Sequence, residues 1–124
     1  MIAVGTDILA VERVERVWRS HPERFVHRVL TAGERERCAV SAQPWRFLAK
    51  RFAAKEAIAK ALGCGIGVRL GWQDIHIESS PAGAPEVTLS ARALAVAAER
   101  GGSRILLSIS DERDYAVAFA ALVG

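Results

Sequence analysis

Pro44 to Leu62 reads PWRFLAKRFAAKEAIAKAL. Proline suits the first turn of a helix, and Gly63 suits its end, so the stretch is predicted to be one long helix. Trp45, Leu48, Phe52, Glu56 and Ala59 are spaced three or four apart and share one face. Four of the five are apolar, so Glu56 interrupts an apolar stripe. A carboxylate held on such a stripe costs several kcal/mol unless it is paired or bound to a cation. Lys60, one turn on, is the candidate partner for an internal ion pair.

Working outward from this helix, Ile2–Ile8 alternates weakly, with Ala3, Gly5 and Asp7 on a small face and Ile2, Val4, Thr6 and Ile8 on a larger one. It is predicted to be a strand. A short helix follows over about Val11–Arg19, broken by His21-Pro22. A second covers about Glu23–Leu30. Thr31-Ala-Gly-Glu34 has the spacing of a capping box and opens a third. Beyond the glycines 63, 65 and 67, Trp72–Glu78 and Glu86–Leu89 are read as strands around a Pro/Gly turn. Ser90 caps a helix running to Arg100. Ile105–Ser110 and Tyr115–Val123 are the last two strands. This order gives an α+β fold with a mainly antiparallel sheet, one long helix and several short ones.

At 124 residues the chain is expected to be a single domain, residues 1–124. Aromatics are only 6% of residues, so Ala, Val, Leu and Ile must fill the core. Cys38 and Cys64 make no C-x-x-C pair, and three scattered histidines exclude a four-ligand zinc site. Both thiols are read as reduced, as in a cytoplasmic protein. Asp7 interrupts the apolar run Ile2–Val11 and no basic residue precedes it, unlike a signal peptide. No apolar stretch reaches the length of a membrane helix. Residues 1–60 carry 12 Lys/Arg against 7 Asp/Glu, whereas residues 61–124 carry 5 against 7. A basic first half suits an anionic partner: nucleic acid, a nucleotide or an acidic protein. Against nucleic acid, there is no ring-stacking motif, helix-turn-helix glycine pattern or zinc finger.

Asp7 stands at the end of the first strand, where an aspartate caps a following helix or serves a site. With Glu56 it offers two carboxylates. Mg²⁺ takes one or two carboxylates and completes its octahedron with water and phosphate oxygens. Lys60 would reach a phosphate, and backbone N–H groups of Gly63, Gly65 and Gly67 would approach it.

Gly5-Thr-Asp-Ile8, together with Arg51-Phe-Ala-Ala-Lys-Glu-Ala57 running into Ala59-Lys-Ala-Leu-Gly63, resembles the holo-[acyl-carrier-protein] synthases, small bacterial 4′-phosphopantetheinyl transferases. Gly65-Ile-Gly67, Gln73-Asp-Ile75 and Ser108-Ile-Ser110 fit as well, so the resemblance covers essentially the whole chain. It implies transfer of the phosphopantetheine arm of coenzyme A to a serine of an acyl carrier protein, in support of fatty acid biosynthesis. It implies Asp7 and Glu56 as Mg²⁺ ligands and Lys60 as the contact to the coenzyme A diphosphate. Arg51, Gly63, Gly65, Ser110 and Asp111 are expected at the nucleotide end, and Arg13, Arg24 and Arg28 at the carrier. Glu56 is the candidate general base. The family's small members are usually homotrimers with sites between subunits. Many members have His where this chain has Asp111, and Asp cannot donate to a phosphate as His⁺ does.

Overall fold

The computed structural model describes residues 2–124. The long helix, α4, spans Pro44–Leu62 and is the axis of the molecule. Its last turn closes on Gly63, whose φ of 83° lies in the left-handed region that favours glycine. Strands β1 (Ala3–Ala10), β4 (Arg104–Asp111) and β5 (Tyr115–Val123) form an antiparallel sheet in the order β1-β5-β4. A separate antiparallel hairpin joins β2 (Ile75–Ser79) to β3 (Pro85–Leu89). Four shorter helices complete the described chain: α1 (Val11–Ser20), α2 (Pro22–Val29), α3 (Ala32–Ala39) and α5 (Ala91–Glu99). The expected α+β architecture is therefore the observed one.

Small residues set the packing. The inner face of the sheet carries Gly5, Ala116, Ala118 and Ala120, and the facing helix carries Ala53, Ala57 and Ala61, all fully buried or nearly so. β1 lies so close to α4 that a Cβ on Gly5 would sit 2.1 Å from the carbonyl oxygen of Ala57. That contact fixes how near Asp7, two residues on, comes to the helix. Register places Asp7 opposite Ala118 and Gly5 opposite Ala120. A second apolar cluster fills the space between α1, α2, α3 and the first half of α4, built on Val14, Val29, Leu30, Cys38 and Leu48.

The other face of the sheet is left bare. Val4, Ile8, Leu106, Val117 and Phe119 all project from it and are exposed, Ile8 at 64%.

Two expectations need correction. Residues 72–74 form a short 3₁₀ turn before β2 rather than the start of a strand. The Asp74 carboxylate accepts from Gly71 N–H at 2.7 Å, and this local hydrogen bond wins over extended pairing. The apolar stripe of α4 is also less buried than its pattern suggests, since Trp45, Phe52 and Glu56 are all half-buried. The charged residue that α4 buries completely is Lys55, whose Nζ lies 2.7 Å from Glu34 Oε1.

Candidate active site

Asp7 leaves β1 and Glu56 leaves α4 into one cavity of about 230 Å³, also lined by Arg13 and Val17 of α1, Phe25 of α2 and Phe52 of α4. Helical spacing explains the wall: Phe52 stands one turn before Glu56 on the same face. Of the stripe read from sequence, Phe52 and Glu56 face this cleft, whereas Leu48 and Ala59 are core.

The alternative roles considered for the two carboxylates are not what the structure shows. The residue preceding α1 is Ala10, and no side chain caps that helix, so Asp7 is not its cap. Lys60 does not serve Glu56 as an ion-pair partner; its Nζ lies 3.1 Å from Asp7 Oδ1 and donates to the carbonyl of Thr6 at 2.8 Å. Asp7, Glu56 and Lys60 thus meet, as the spacing and the resemblance imply.

The charges gathered here act on Glu56. Burial pushes the Glu56 carboxyl above its ordinary value, the charge of Asp7 pushes it further the same way, and Lys60 pulls it back. Two ionised carboxylates facing one half-buried cavity repel, and a divalent ion between them relieves that repulsion. Among the described residues no cluster of three or more His, Cys, Asp and Glu side chains gathers as a metal site. Two carboxylates are a donor set that could hold Mg²⁺, whose octahedron water and phosphate oxygens would complete.

The remaining candidates scatter. Arg51 is five residues before Glu56, about 140° round the helix, and lines a different cavity of about 220 Å³ with Arg37 and His76. It is 7% exposed, its guanidinium lies 4.6 Å from the centre of the Phe47 ring, and its Nε has no partner. Burial draws its pKa down, with Glu34 opposing that shift.

The glycine loop departs from its expected role. Gly63 N–H donates to Ala59 and Lys60 carbonyls, Gly65 N–H to Ala59 and Gly67 N–H to Leu70. The Gly63 and Gly65 amides close the end of α4 and that of Gly67 closes the loop on Leu70, so they are not the free phosphate donors anticipated from the sequence. What the loop leaves open is space: a Cβ at Gly65 or Gly67 would touch nothing within 4 Å.

Ser110 and Asp111 end β4. The Asp111 carboxylate pairs with Arg46 at 3.1 Å and with Lys50 at 4.0 Å. Arg46 also donates to the carbonyls of Glu112 and Arg113, which ties the β4–β5 turn to the start of α4. Arg46 and Lys50 were not singled out in the sequence, since their partner lies 65 and 61 residues away.

Arg13 borders the carboxylate cavity, while Arg24 and Arg28 are exposed on α2. No helix of the described chain is long and apolar enough to cross a membrane. Both cysteines are free thiols.

Residues 3–120 match the model of the 4′-phosphopantetheinyl transferase superfamily. A holo-[acyl-carrier-protein] synthase from Caldanaerobacter subterraneus subsp. tengcongensis is 46% identical over 123 residues, covering 99% of this chain and 95% of its own. The crystal structure of holo-[acyl-carrier-protein] synthase from Neisseria meningitidis superposes with a TM-score of 0.91 at 38% identity over the full length of both chains. The Helicobacter pylori enzyme, solved in complex with coenzyme A, superposes at 0.84 with 32% identity, covering 96% of this chain and 98% of that one. With fold and sequence in agreement over nearly its whole length, the chain belongs to the holo-[acyl-carrier-protein] synthases of the 4′-phosphopantetheinyl transferase superfamily.

Proposed function

We propose that the chain transfers the 4′-phosphopantetheine group of coenzyme A to a serine of an apo acyl carrier protein, releasing adenosine 3′,5′-bisphosphate and supplying holo carrier for fatty acid biosynthesis in the cytoplasm. The observation that carries this reading is the convergence of Asp7 and Glu56 on one cavity, with the Lys60 ammonium beside them.

Asp7 and Glu56 would hold Mg²⁺, which when bound offsets the charge of the diphosphate and of the leaving phosphate. In the reaction the serine Oγ attacks the β-phosphorus. A new O–P bond forms, the bond from that phosphorus to the bridging oxygen breaks, and its electron pair leaves on adenosine bisphosphate. Lys60, half-exposed and anchored at Thr6 and Asp7, lies within reach of a diphosphate entering the cavity and balances the developing charge. The serine proton passes to Glu56, whose affinity for a proton is raised by burial and by the charge of Asp7. Val17, Phe25 and Phe52 give one side of the cleft an apolar wall that fits the aliphatic stem of the pantetheine arm.

Arg51 supports a nucleotide contact of a particular kind. A buried guanidinium with an unpartnered Nε is an incomplete arrangement that a phosphate would complete. Yet Arg51 and Glu56 face different cavities of one chain. We therefore assign the nucleotide end to a neighbouring subunit. The bare sheet face of Val4, Ile8, Leu106, Val117 and Phe119 supports assembly, a homotrimer with sites between subunits being the arrangement we propose. Ser110, Asp111, Gly63 and Gly65 complete the nucleotide end in this scheme. Asp111 acts there through the cations it holds, Gly65 through the room it leaves, and Gly63 through the left-handed turn that ends α4. Arg13, Arg24 and Arg28 face an acidic carrier; each contact is weak alone, but together they steer encounter.

The test is mass spectrometry of an apo carrier protein incubated with coenzyme A, Mg²⁺ and the chain. The carrier should gain one phosphopantetheine group on its serine. An unmodified carrier after prolonged incubation contradicts the proposal.

A further inference from the structure

Helix α2 has eight residues and is too short to be stable in isolation. Its C-terminus has no glycine cap: Leu30 is extended, at φ −102° and ψ 142°. A helix end leaves four carbonyls without intrahelical partners. Here Val26 is served locally by Leu30 N–H. Of the other three, those of Val29 and His27 are served from far along the chain, and that of Arg28 lies at the edge of the same reach. Lys55 Nζ donates to the Val29 carbonyl at 2.7 Å. Gln73 Nε2 lies 2.8 Å from the His27 carbonyl and 3.4 Å from that of Arg28, and it donates also to Leu30 at 2.7 Å.

Neither donor is a casual contact. Lys55 is fully buried, and its ammonium is saturated by Val29, by Glu34 Oε1 at 2.7 Å and by the Trp72 carbonyl at 3.1 Å. Glu34 in turn accepts from Ile77 N–H at 2.8 Å, which ties the same hub to β2. A cation at a helix C-terminus also complements the helix dipole. Gln73 sits on the 3₁₀ turn next to Trp72, on the outer side of the same helix end.

What this grip holds in place bears directly on the carboxylate cavity. Phe25, on α2, faces Phe52 with ring centres 6.0 Å apart, and Phe52 lies 4.8 Å from Trp72. Phe25 and Phe52 line the cavity of Asp7 and Glu56. Arg24 and Arg28 lie on the same short helix. A shift of α2 would therefore move the cavity wall and the basic docking residues together.

We propose that Lys55 and Gln73 form a two-part latch on the C-terminus of α2 that positions this helix against the Asp7–Glu56 cavity and sets how well the carrier protein is engaged. Both are positioning residues that touch neither substrate. The inference rests on the proposed transferase reading for its substrates, but the latch itself is readable without it.

Gln73 is exposed, so its variants should fold. Gln73→Glu keeps the shape and removes both donated hydrogens. It should raise the KM for the carrier about fivefold or more while the KM for coenzyme A stays within about twofold, and Gln73→Arg, which restores donors, should recover part of that loss. The double variant Lys55→Met/Glu34→Gln removes the buried half without stranding one charge and should show the same split. Hydrogen exchange needs no activity: in Gln73→Glu the amides of Phe25 and Leu30 should exchange about tenfold faster than in the wild type, with α4 unchanged. A carrier KM within twofold of wild type in Gln73→Glu, or a coenzyme A KM that rises in step with it, overturns the proposal. So does unchanged exchange at α2. A wild-type chain with no transferase activity would instead overturn the functional reading and leave the exchange result to decide the latch.

Discussion

Lys60 Nζ sits 3.1 Å from Asp7 Oδ1, a pair formed across 53 residues of chain, whereas the acid one turn away on its own helix, Glu56, has no such bond. The pairing follows from the close approach of β1 to α4 at Gly5, which carries Asp7 over the last turns of the helix. Two acids, the Lys60 ammonium and the Arg13 guanidinium then border one cleft, in which Asp7 has an ion-pair partner and Glu56 has none at bonding distance.

Replacing Glu56 by Gln should therefore leave the fold intact and reduce transfer by about a hundredfold or more, the scale on which a positioned acid–base group or a lost metal ligand acts. Steady-state rates with a carrier protein and a circular dichroism melt check both halves. Turnover within threefold of wild type would remove Glu56 from the mechanism.

The same substitution makes a statement about stability and pH. The folded-state pKa of Glu56 is raised above its ordinary 4.5, so the folded protein binds that proton more tightly than the unfolded chain does. Ionised Glu56 thus subtracts stability once pH exceeds the folded value, and the subtraction vanishes below the ordinary one. Without added divalent ion, Glu56→Gln should melt higher than wild type at neutral pH, and the two curves should converge as the pH falls below 4.5. Saturating Mg²⁺ should stabilise the wild type and not the variant. Parallel melting curves at every pH would contradict the picture of two facing carboxylates.

Gly5→Ala should be among the most damaging single methyl additions available. Its Cβ would meet backbone atoms of Ala57 and Ala61 at 2.1 and 2.7 Å, and backbone cannot move aside as a flexible side chain can. A loss of about 3 kcal/mol in urea unfolding is expected, the upper end for overpacking. A loss below about 0.5 kcal/mol would mean that the strand and helix are farther apart than described.

The bare sheet face predicts an association state. Phe119→Glu places a charge in the middle of that face without touching the inner core. Sedimentation should show a homotrimer for the wild type and a smaller species for the variant, with transferase activity falling alongside. A wild-type chain that sediments as a monomer at micromolar concentration, yet is fully active, would contradict the shared-site scheme.

Much of this fold was legible because its signals are local. Pro44 and Gly63 bracket α4 at the boundaries read from sequence, and the Thr31–Glu34 capping box forms as its spacing implies, with Thr31 N–H donating to Glu34 Oε1 at 2.8 Å. β1 runs to Ala10 rather than ending at Ile8, because Tyr115 and Ala116 extend the pairing from the far end of the chain. Asp7, Glu56 and Lys60 came together as their motifs suggest. Illegible were interactions between groups with no shared periodicity. Nothing in the sequence marks Lys55 as the partner of Glu34, since a lysine next to a glutamate on a helix reads as surface charge. The loop glycines looked like phosphate donors, but the N–H groups of Gly63 and Gly65 are consumed by carbonyls of α4, and that of Gly67 by the carbonyl of Leu70. The separation of Arg51 from Glu56 was readable in principle, because five helical residues place two side chains on different faces.

In the proposed site Asp7 and Glu56 jointly hold one divalent cation. This is tested most directly by electron paramagnetic resonance of Mn²⁺ binding in the presence of coenzyme A, comparing wild type with Asp7→Asn and Glu56→Gln. The account predicts one Mn²⁺ per chain in the wild type, displaced by Mg²⁺, and a loss of affinity of tenfold or more in each variant. Wild-type binding retained in either variant would contradict it.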